Sequence, residues 1–463
     1  MRQPSEMRPY QNNIATFLYE RDEALCVARP GGGKTVAALT AIKDLTEQAV
    51  IHHALVLAPK RVARVVWPDE IANWEHVEHL YYQVLTGSPA RREDMLKASS
   101  NYDLTICGLD ITQWLMETLD KYPDDHPIFD LLIVDEISRL RNPRGKRAKE
   151  LAKRAHRFKM IWGLTGTLRP NGAEDLFMPA RVVSRDQLWG RSFDRWRQQH
   201  FVPLDWNGYR WGPLPGAEDK LNAELAPYIV TLGDNDMPEL PKLSVILDKV
   251  TLPPAARHQY DDMESKLFAR GGKDGVITAA SAGVATGKLA QAANGFMYDN
   301  NKLPVALHDE KREWLADLLE DASGPTLVVY EFIEDLQMLL EVAGGMTPFL
   351  GAGATDKDAD QAIKDWNAGK LKVMGLHPAS GGHGLNLQHG GADMAWISPC
   401  WSPEFWEQTI ARIHRSGQTR PVMVRVCVAR DTVDEMKLAR VYEKMTAQQA
   451  FEAYLRRFQA RAA

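Results

Sequence analysis

Ala28-Arg29-Pro30-Gly31-Gly32-Gly33-Lys34-Thr35 is the stretch whose reading decides the fold. The apolar run Ala24-Leu25-Cys26-Val27 leads into it, and Val36-Ala37-Ala38-Leu39-Thr40-Ala41-Ile42 follows. That order predicts a strand, a glycine-rich turn and the start of a helix. Three consecutive glycines let the backbone turn tightly and aim successive N–H groups at one point. The helix N-terminus adds the positive end of its dipole, so the loop is an anion cradle. In this reading Arg29, Pro30, Gly31, Gly32 and Gly33 wrap a nucleotide's phosphates. Lys34 reaches the β- and γ-phosphates, and Thr35 places its hydroxyl on Mg²⁺.

The chain has 463 residues, too many for one ordinary core, so two or three domains are expected. With 44% apolar and 25% charged residues it has the composition of a globular protein with a sizeable core. The net charge of -5 carries no global basic excess, so a nucleic-acid partner would have to be met by local patches. Cys26, Cys107, Cys400 and Cys427 are far apart and form no Cys-x-x-Cys pair. They read as buried free thiols of a reducing cytosol, neither zinc ligands nor a disulfide framework. No stretch reaches ~18 apolar residues and no apolar leader opens the chain, so the expectation is a cytoplasmic protein with no membrane contact.

Upstream of the loop, Gln11 precedes a helical-looking segment from Asn12 to Glu20. An amide both donates and accepts, which suits the edge of an adenine. Ala54-Leu55-Val56-Leu57 reads as a second buried strand, stopped by Pro59 and followed by Lys60 and Arg61. These two cations stand where open α/β sheets bind ligands. They hold a phosphodiester backbone or form a solvated basic loop. The helix starting near Trp67 carries aromatics, Trp67 and Trp74, that read as packing.

Leu131-Leu132-Ile133-Val134 brings Asp135 and Glu136 to a strand end. Asp135 suits a Mg²⁺ shell, and Glu136 suits orienting and deprotonating an attacking water. Arg139 to Lys159 holds ten Lys or Arg and one acid, Glu150. Leu151, Ala152, Ala155 and Phe158 add an apolar stripe, predicting a helix with one basic face, either solvated or touching nucleic acid. Met160 to Leu164 reads as another buried strand, ending in Thr165-Gly166-Thr167. The hydroxyls of Thr165 and Thr167 would couple Glu136 and the phosphate side to a neighbouring surface.

Taken in order, Gln11, Gly33-Lys34-Thr35, Ala58-Pro59, Asp135-Glu136-Ile137-Ser138 and Thr165-Gly166-Thr167 resemble the superfamily-two helicases and translocases. Asp135 to Leu151 is most similar to the Swi/Snf-type DNA-dependent ATPases among them. That family usually shows Asp-Glu-Ala/Gly-His, so Ser138 stands where its coupling histidine would be.

The resemblance continues through the second half. Thr326 to Tyr330 and Leu371 to Leu376 read as strands. Ser380-Gly381-Gly382-His383-Gly384-Leu385-Asn386-Leu387 resembles the family's glycine-rich loop, in which Ser380, Gly381 and Gly382 would meet the nucleic-acid backbone and Gly384 the nucleotide. His377-Pro378 replaces the family's Ser-Thr. Trp401-Ser402-Pro403 precedes a predicted helix running through Gln408, Arg412, His414, Arg415 and Gln418. The resemblance implies nucleic-acid contacts for Trp401 and Gln408, and arginine fingers at Arg412 and Arg415, three apart on one helix face. Asp431 to Glu435 is similar to the family's closing Thr-x-Glu-Glu segment.

The resemblance implies an α/β fold: two tandem RecA-like domains, parallel sheets flanked by helices, with a mainly helical insertion between them. The expected boundaries are 1–180 for the first core, 181–300 for the insertion, 301–440 for the second core and 441–463 for a C-terminal helix. The aromatics of the insertion, Phe193, Trp196, Trp206, Tyr209 and Trp211, read as packing ahead of base stacking. The implied activity is hydrolysis of ATP with Mg²⁺ while moving along duplex DNA, in a compact bacterial or phage monomer. A strand-separating helicase of DNA or RNA, and an ATP switch without movement, are the alternatives.

Overall fold

The apolar runs around the phosphate loop form one parallel sheet. A computed structural model describes residues 1–122, 128–170, 172–204, 211–232, 236, 239–271, 279–299, 301–381 and 385–442. The chain divides into two compact units, Met1–Glu239 and Leu240–Ala463.

The first unit begins with α1 (Pro9–Tyr19), β1 (Glu23–Val27), α2 (Lys34–Glu47), β2 (Ala54–Ala58) and α3 (Trp67–Asn73). It continues with β3 (Tyr82–Val84), α4 (Pro89–Lys97), β4 (Leu104–Gly108), α5 (Thr112–Leu119), β5 (Leu131–Asp135), α6 (Lys146–Arg154) and β6 (Met160–Thr165). After α7 (Phe177–Val183) and α8 (Phe193–His200), β7 (Phe201–Pro203) pairs antiparallel with β8 (Trp211–Pro213). The unit closes with α9 (Ala217–Leu225) and β9 (Ile229–Thr231).

The main sheet runs β3-β4-β2-β5-β6-β1-β9 and is parallel throughout. Its central strands lack polar alternation because both faces are buried. Ala24, Cys26, Val56, Ile133 and Trp162 pack with α1, α2 and α3 on one face. Leu25, Leu57, Val134 and Ile161 pack with α5, α6 and α7 on the other.

The second unit carries β10 (Leu243–Val250), α10 (Pro254–Gly271), α11 (Ala279–Ala293) and the antiparallel pair β11 (Phe296–Tyr298) and β12 (Pro304–Ala306). Then come α12 (Glu310–Glu320), β13 (Thr326–Val329), α13 (Ile333–Val342), β14 (Phe349–Leu350), α14 (Asp356–Asn367) and β15 (Val373–Leu376). The unit ends with α15 (Pro378–Gly381), β16 (Asp393–Trp396), α16 (Pro403–Ile410), β17 (Val422–Ala429) and α17 (Val433–Tyr442). Its sheet runs β10-β17-β16-β13-β15-β14, again parallel. Both units are therefore parallel sheets covered by helices, the RecA-like arrangement.

The stretch 181–300 is dominated by α8, α9, α10 and α11, and it also lends an edge strand to each sheet: β9 beside β1, and β10 beside β17. The aromatics of α8 pack rather than project. Trp196 is buried at 2% exposure among Phe177, Trp189, Phe193 and Phe201. Trp206, Tyr209 and residues 443–463 lie outside the described residues.

Candidate functional site

The site of the first unit is built on strand ends. β1 delivers the chain to Ala28, and the loop turns through Gly31 (φ 83°) and Gly33 (φ 74°), left-handed conformations that glycine adopts without a Cβ penalty. The first bond of α2 follows at once, with Ala37 N donating to Gly33 O. Gln11 lies directly over this turn: a Cβ on Gly33 would collide with its amide nitrogen. Gln11 Oε1 in turn accepts the Arg8 N–H at 2.8 Å, which fixes the start of α1 against the loop. Lys34 Nζ donates to Ala28 O at 2.6 Å, so its ammonium lies inside the loop.

β5 ends in Asp135. Residues two apart on a strand share a face, so Asp135 points the same way as Leu131 and Ile133, toward α2. Burial, with Glu136 adding to it, pushes the Asp135 carboxyl up to about 6, against the opposing pull of Trp67 and Lys34. A buried carboxylate and a threonine hydroxyl at a helix start are oxygen donors of the kind that suit a hard divalent cation. Asp135 and Thr35 thus fit the Mg²⁺ that the sequence implied.

Glu136 adopts φ 58°. For a non-glycine residue this costs roughly 1–2 kcal/mol, and such strain collects at working sites. The turn carries its carboxylate to the Thr165 hydroxyl, 3.3 Å away at the end of β6. Thr165 Oγ1 also lies 3.0 Å from Ser138 Oγ and 2.9 Å from Thr167 O. One proton has three acceptors within reach, so this hydroxyl can change partner as Glu136 changes its own. Thr167 takes part through its backbone, its N–H reaching Thr165 Oγ1 at 3.3 Å.

Trp67 is the residue sequence reasoning missed. It does not merely pack: its indole Nε1 donates to Asp135 Oδ2 at 3.0 Å, with the side chain fully buried. No local pattern links positions 68 apart; the one available signal was that a buried indole N–H needs an acceptor. Lys60 and Arg61 stand at the carboxyl end of β2, the strand next to β5. A π-helical turn, Val62–Val66, joins them to Trp67.

Only part of the basic run forms one exposed face, Lys146, Lys149 and Lys153 on α6. α6 covers only Lys146–Arg154, and Arg154 is buried, bonded to Asp120 at 2.7 Å and to Glu150. Arg157 reaches Tyr122 O at 2.7 Å and Lys159 reaches Val50 O at 2.9 Å. Arg154, Arg157 and Lys159 serve the fold, binding acceptors in the segments that follow α5 and α2.

In the second unit, the helix expected to carry both arginines ends at Ile410. Arg412 and Arg415 sit in the turns that follow. There Gln418 Nε2 draws the carbonyls of Gln388, Gly391 and Ile413 together at 3.0–3.2 Å. Gly417, at φ 95°, lets the chain reverse. The two guanidinium groups still converge: Arg412 Nη1 and Arg415 Nη1 reach Leu385 O at 3.5 and 3.2 Å. Gln408 donates to Glu404 at 3.2 Å on α16. Half-buried Trp401 has the Lys437 ammonium 5.7 Å from its ring centre. Ser380 and Gly381 end α15, while Gly382 and Gly384 lie outside the described residues. His377 Nε2 bonds Glu331 O at 3.2 Å, and His414 Nε2 bonds Pro241 O at 2.8 Å, a structural use of both.

The four cysteines are free and buried. Among the described residues no metal-binding group of His, Cys, Asp and Glu occurs, and no helix is long and apolar enough to cross a membrane.

A profile of the SNF2-related domain matches residues 10–295. Putative protein p41 of Acyrthosiphon pisum secondary endosymbiont phage 1 is 34% identical, over 95% of this chain and 96% of that protein. The chain belongs to the SNF2-related family. A second relative, the uncharacterized ATP-dependent helicase YqhH of Bacillus subtilis, is 22% identical to this SNF2-related chain, over 94% of it and 78% of that protein. The solved SWI2/SNF2 ATPase core of Sulfolobus solfataricus in complex with dsDNA is 20% identical, covers 94% of the chain and 90% of its own, and superposes with a TM-score of 0.45. As the motifs implied, this SNF2-related chain is an ATP-using, nucleic-acid-dependent ATPase.

Proposed function

We propose that the chain is a translocase that hydrolyses ATP while moving along duplex DNA. The observation that carries this reading is the convergence, on neighbouring strand ends of one sheet, of Lys34, Asp135, Glu136 and the Lys60–Arg61 corner. Phosphate chemistry and a phosphate-gripping loop there share one rigid support.

Gln11 meets the adenine edge, and the loop from Arg29 to Gly33 cradles the phosphates through backbone N–H groups. Lys34 exchanges the Ala28 carbonyl for the β- and γ-phosphates. Thr35 and Asp135 would hold Mg²⁺, which would offset phosphate charge. Glu136 orients and deprotonates the attacking water, and the Thr165 hydroxyl fixes the carboxylate between turnovers. Arg412 and Arg415 supply positive charge to the γ-phosphate, a contribution of about 10³–10⁵ in rate in other NTPases. Lys60 and Arg61 grip the DNA backbone in alternation with the Ser380–Leu387 loop, aided by Trp401 and Gln408. Contacts of this kind are sequence-tolerant and salt-dependent.

Arg415→Ala tests the arrangement. Steady-state turnover with duplex DNA should fall at least ~10³-fold, in line with an arginine finger, while ATP and DNA binding persist. Turnover at the wild-type rate would refute the role.

A further inference from the structure

Part of the basic run is used neither by the nucleotide site nor by the fold. Lys146, Lys149 and Lys153 are exposed and, among the described residues, form no salt bridge. Their spacing of three and four residues puts them on one stripe of α6, opposite buried Ala148, Leu151 and Ala152. The stripe runs into a cavity of 220 Å³ lined by Lys153, His156, Arg181, Arg185, Arg191 and Asp186. Three of those cations come from a second element, α7 and the turn after it. The single acid, Asp186, is held by Arg181 at 2.6 Å and Arg191 at 2.8 Å. Glu150 and Asp120, the other acids close to the stripe, are both engaged by Arg154. With Arg185 paired to Glu23, the surface keeps a net positive charge, carried by the three lysines and the cavity arginines, and is concave at one end.

Its place in the fold separates it from the nucleotide site. Arg185 bonds Glu23 at the start of β1, and the carbonyls of Phe158 and Lys159 just before β6. The cavity thus lies at the amino edge of the sheet, whereas Lys34, Asp135 and Lys60 lie at its carboxyl edge. Strands of about five residues put about 15 Å between the two edges.

We propose that the α6 stripe and its cavity form a second docking track for the phosphodiester backbone of duplex DNA, distinct from the Lys60–Arg61 contact. This rests on the reading that the chain works on DNA. Charge complementarity selects a polyanion. The stripe rises about 10 Å from Lys146 to Lys153, the length over which one strand of a duplex presents about three phosphates. The cavity takes a further phosphate among guanidinium groups. A track that runs along α6 from the carboxyl edge of β5 toward the amino edge of β6, ending in the cavity, would keep the protein on DNA while the Lys60–Arg61 contact is released during each cycle.

The test compares Lys146→Glu/Lys149→Glu/Lys153→Glu, its milder all-Gln counterpart and Lys60→Glu/Arg61→Glu with wild type. Duplex affinity is read across salt concentrations by fluorescence anisotropy, alongside ATP turnover at saturating duplex. Both stripe variants should bind duplex at least ~10-fold more weakly at about 0.1 M salt. The slope of log K against log salt should fall by up to about 2.7, or about 0.9 for each phosphate no longer neutralised, with turnover at saturating duplex unchanged. Wild-type affinity and slope in both stripe variants would overturn the track, even if the Lys60/Arg61 variant binds poorly. Absence of duplex binding by wild type would overturn both the track and the reading beneath it.

Discussion

Trp67 donates its indole N–H to the Asp135 carboxylate, which in the proposed role must be charged to hold a cation. Hydrogen bonds to charged groups are worth about 1.5–3 kcal/mol, so Trp67→Phe should fill most of the space yet weaken the ionised form of Asp135. The sign follows from the existing shift. Burial already pushes this carboxyl up to about 6, so activity is retained above that pH and lost as pH falls through it. Without the indole donor the acid limb should move to higher pH, and the Mg²⁺ concentration for half-maximal turnover should rise. A pH–rate profile superimposable on wild type would show that Trp67 only packs. Asp135 and Glu136 were legible in the sequence because a run of apolar residues ending in two acids is a local signal. Trp67 was not, because the distance that matters is across the sheet. Ser138 was half legible: its position marked it as the stand-in for a histidine, and its 3.0 Å approach to Thr165 came only from the fold.

Helix α17 is attached to the second unit by charge. Asp434 and Lys311 are both fully buried and meet at 2.6 Å. Lys311 also bonds Asn294 at 2.8 Å, which donates to buried Asp335 at 2.9 Å. Lys437 pairs with Glu331 at 2.5 Å. Burial opposes the Lys437 charge, but Glu331 and Asp434 outweigh it and raise its pKa. Removing one partner of a buried pair strands the other charge, which costs about 3–5 kcal/mol. Asp434→Asn should therefore lower the urea-unfolding stability of the second unit by that amount. A change within about 1 kcal/mol would mean that water reaches the pair. The Thr-x-Glu-Glu likeness pointed to this segment, but nothing in its composition disclosed a network reaching other elements of the unit. The arginine turn teaches the same lesson. Arg412 and Arg415 at a spacing of three suit a helix face, yet Gly417 and the three carbonyls gathered by Gln418 end the helix early. A shared target, Leu385 O, keeps the pair together.

Across the molecule, the two sheets were readable wherever strands are buried on both faces, since Leu55 to Ala58 or Leu131 to Val134 admit no other apolar run of that length. β9 and β10 were not, because edge strands with half-exposed residues lack that pattern. The order of the motifs carried the family assignment, and the geometry of the first unit then joined the phosphate loop, the acid pair and the Lys60–Arg61 corner on one sheet edge. On the proposed reading that corner brings the nucleotide and the DNA backbone together, which is why turnover should respond to nucleic acid. The decisive measurement is ATP turnover by the full chain with duplex DNA, single-stranded DNA and RNA of matched length. Duplex DNA should stimulate turnover most, with Lys34→Ala abolishing the response. Stimulation by RNA alone, or equal turnover with and without nucleic acid, would contradict the account.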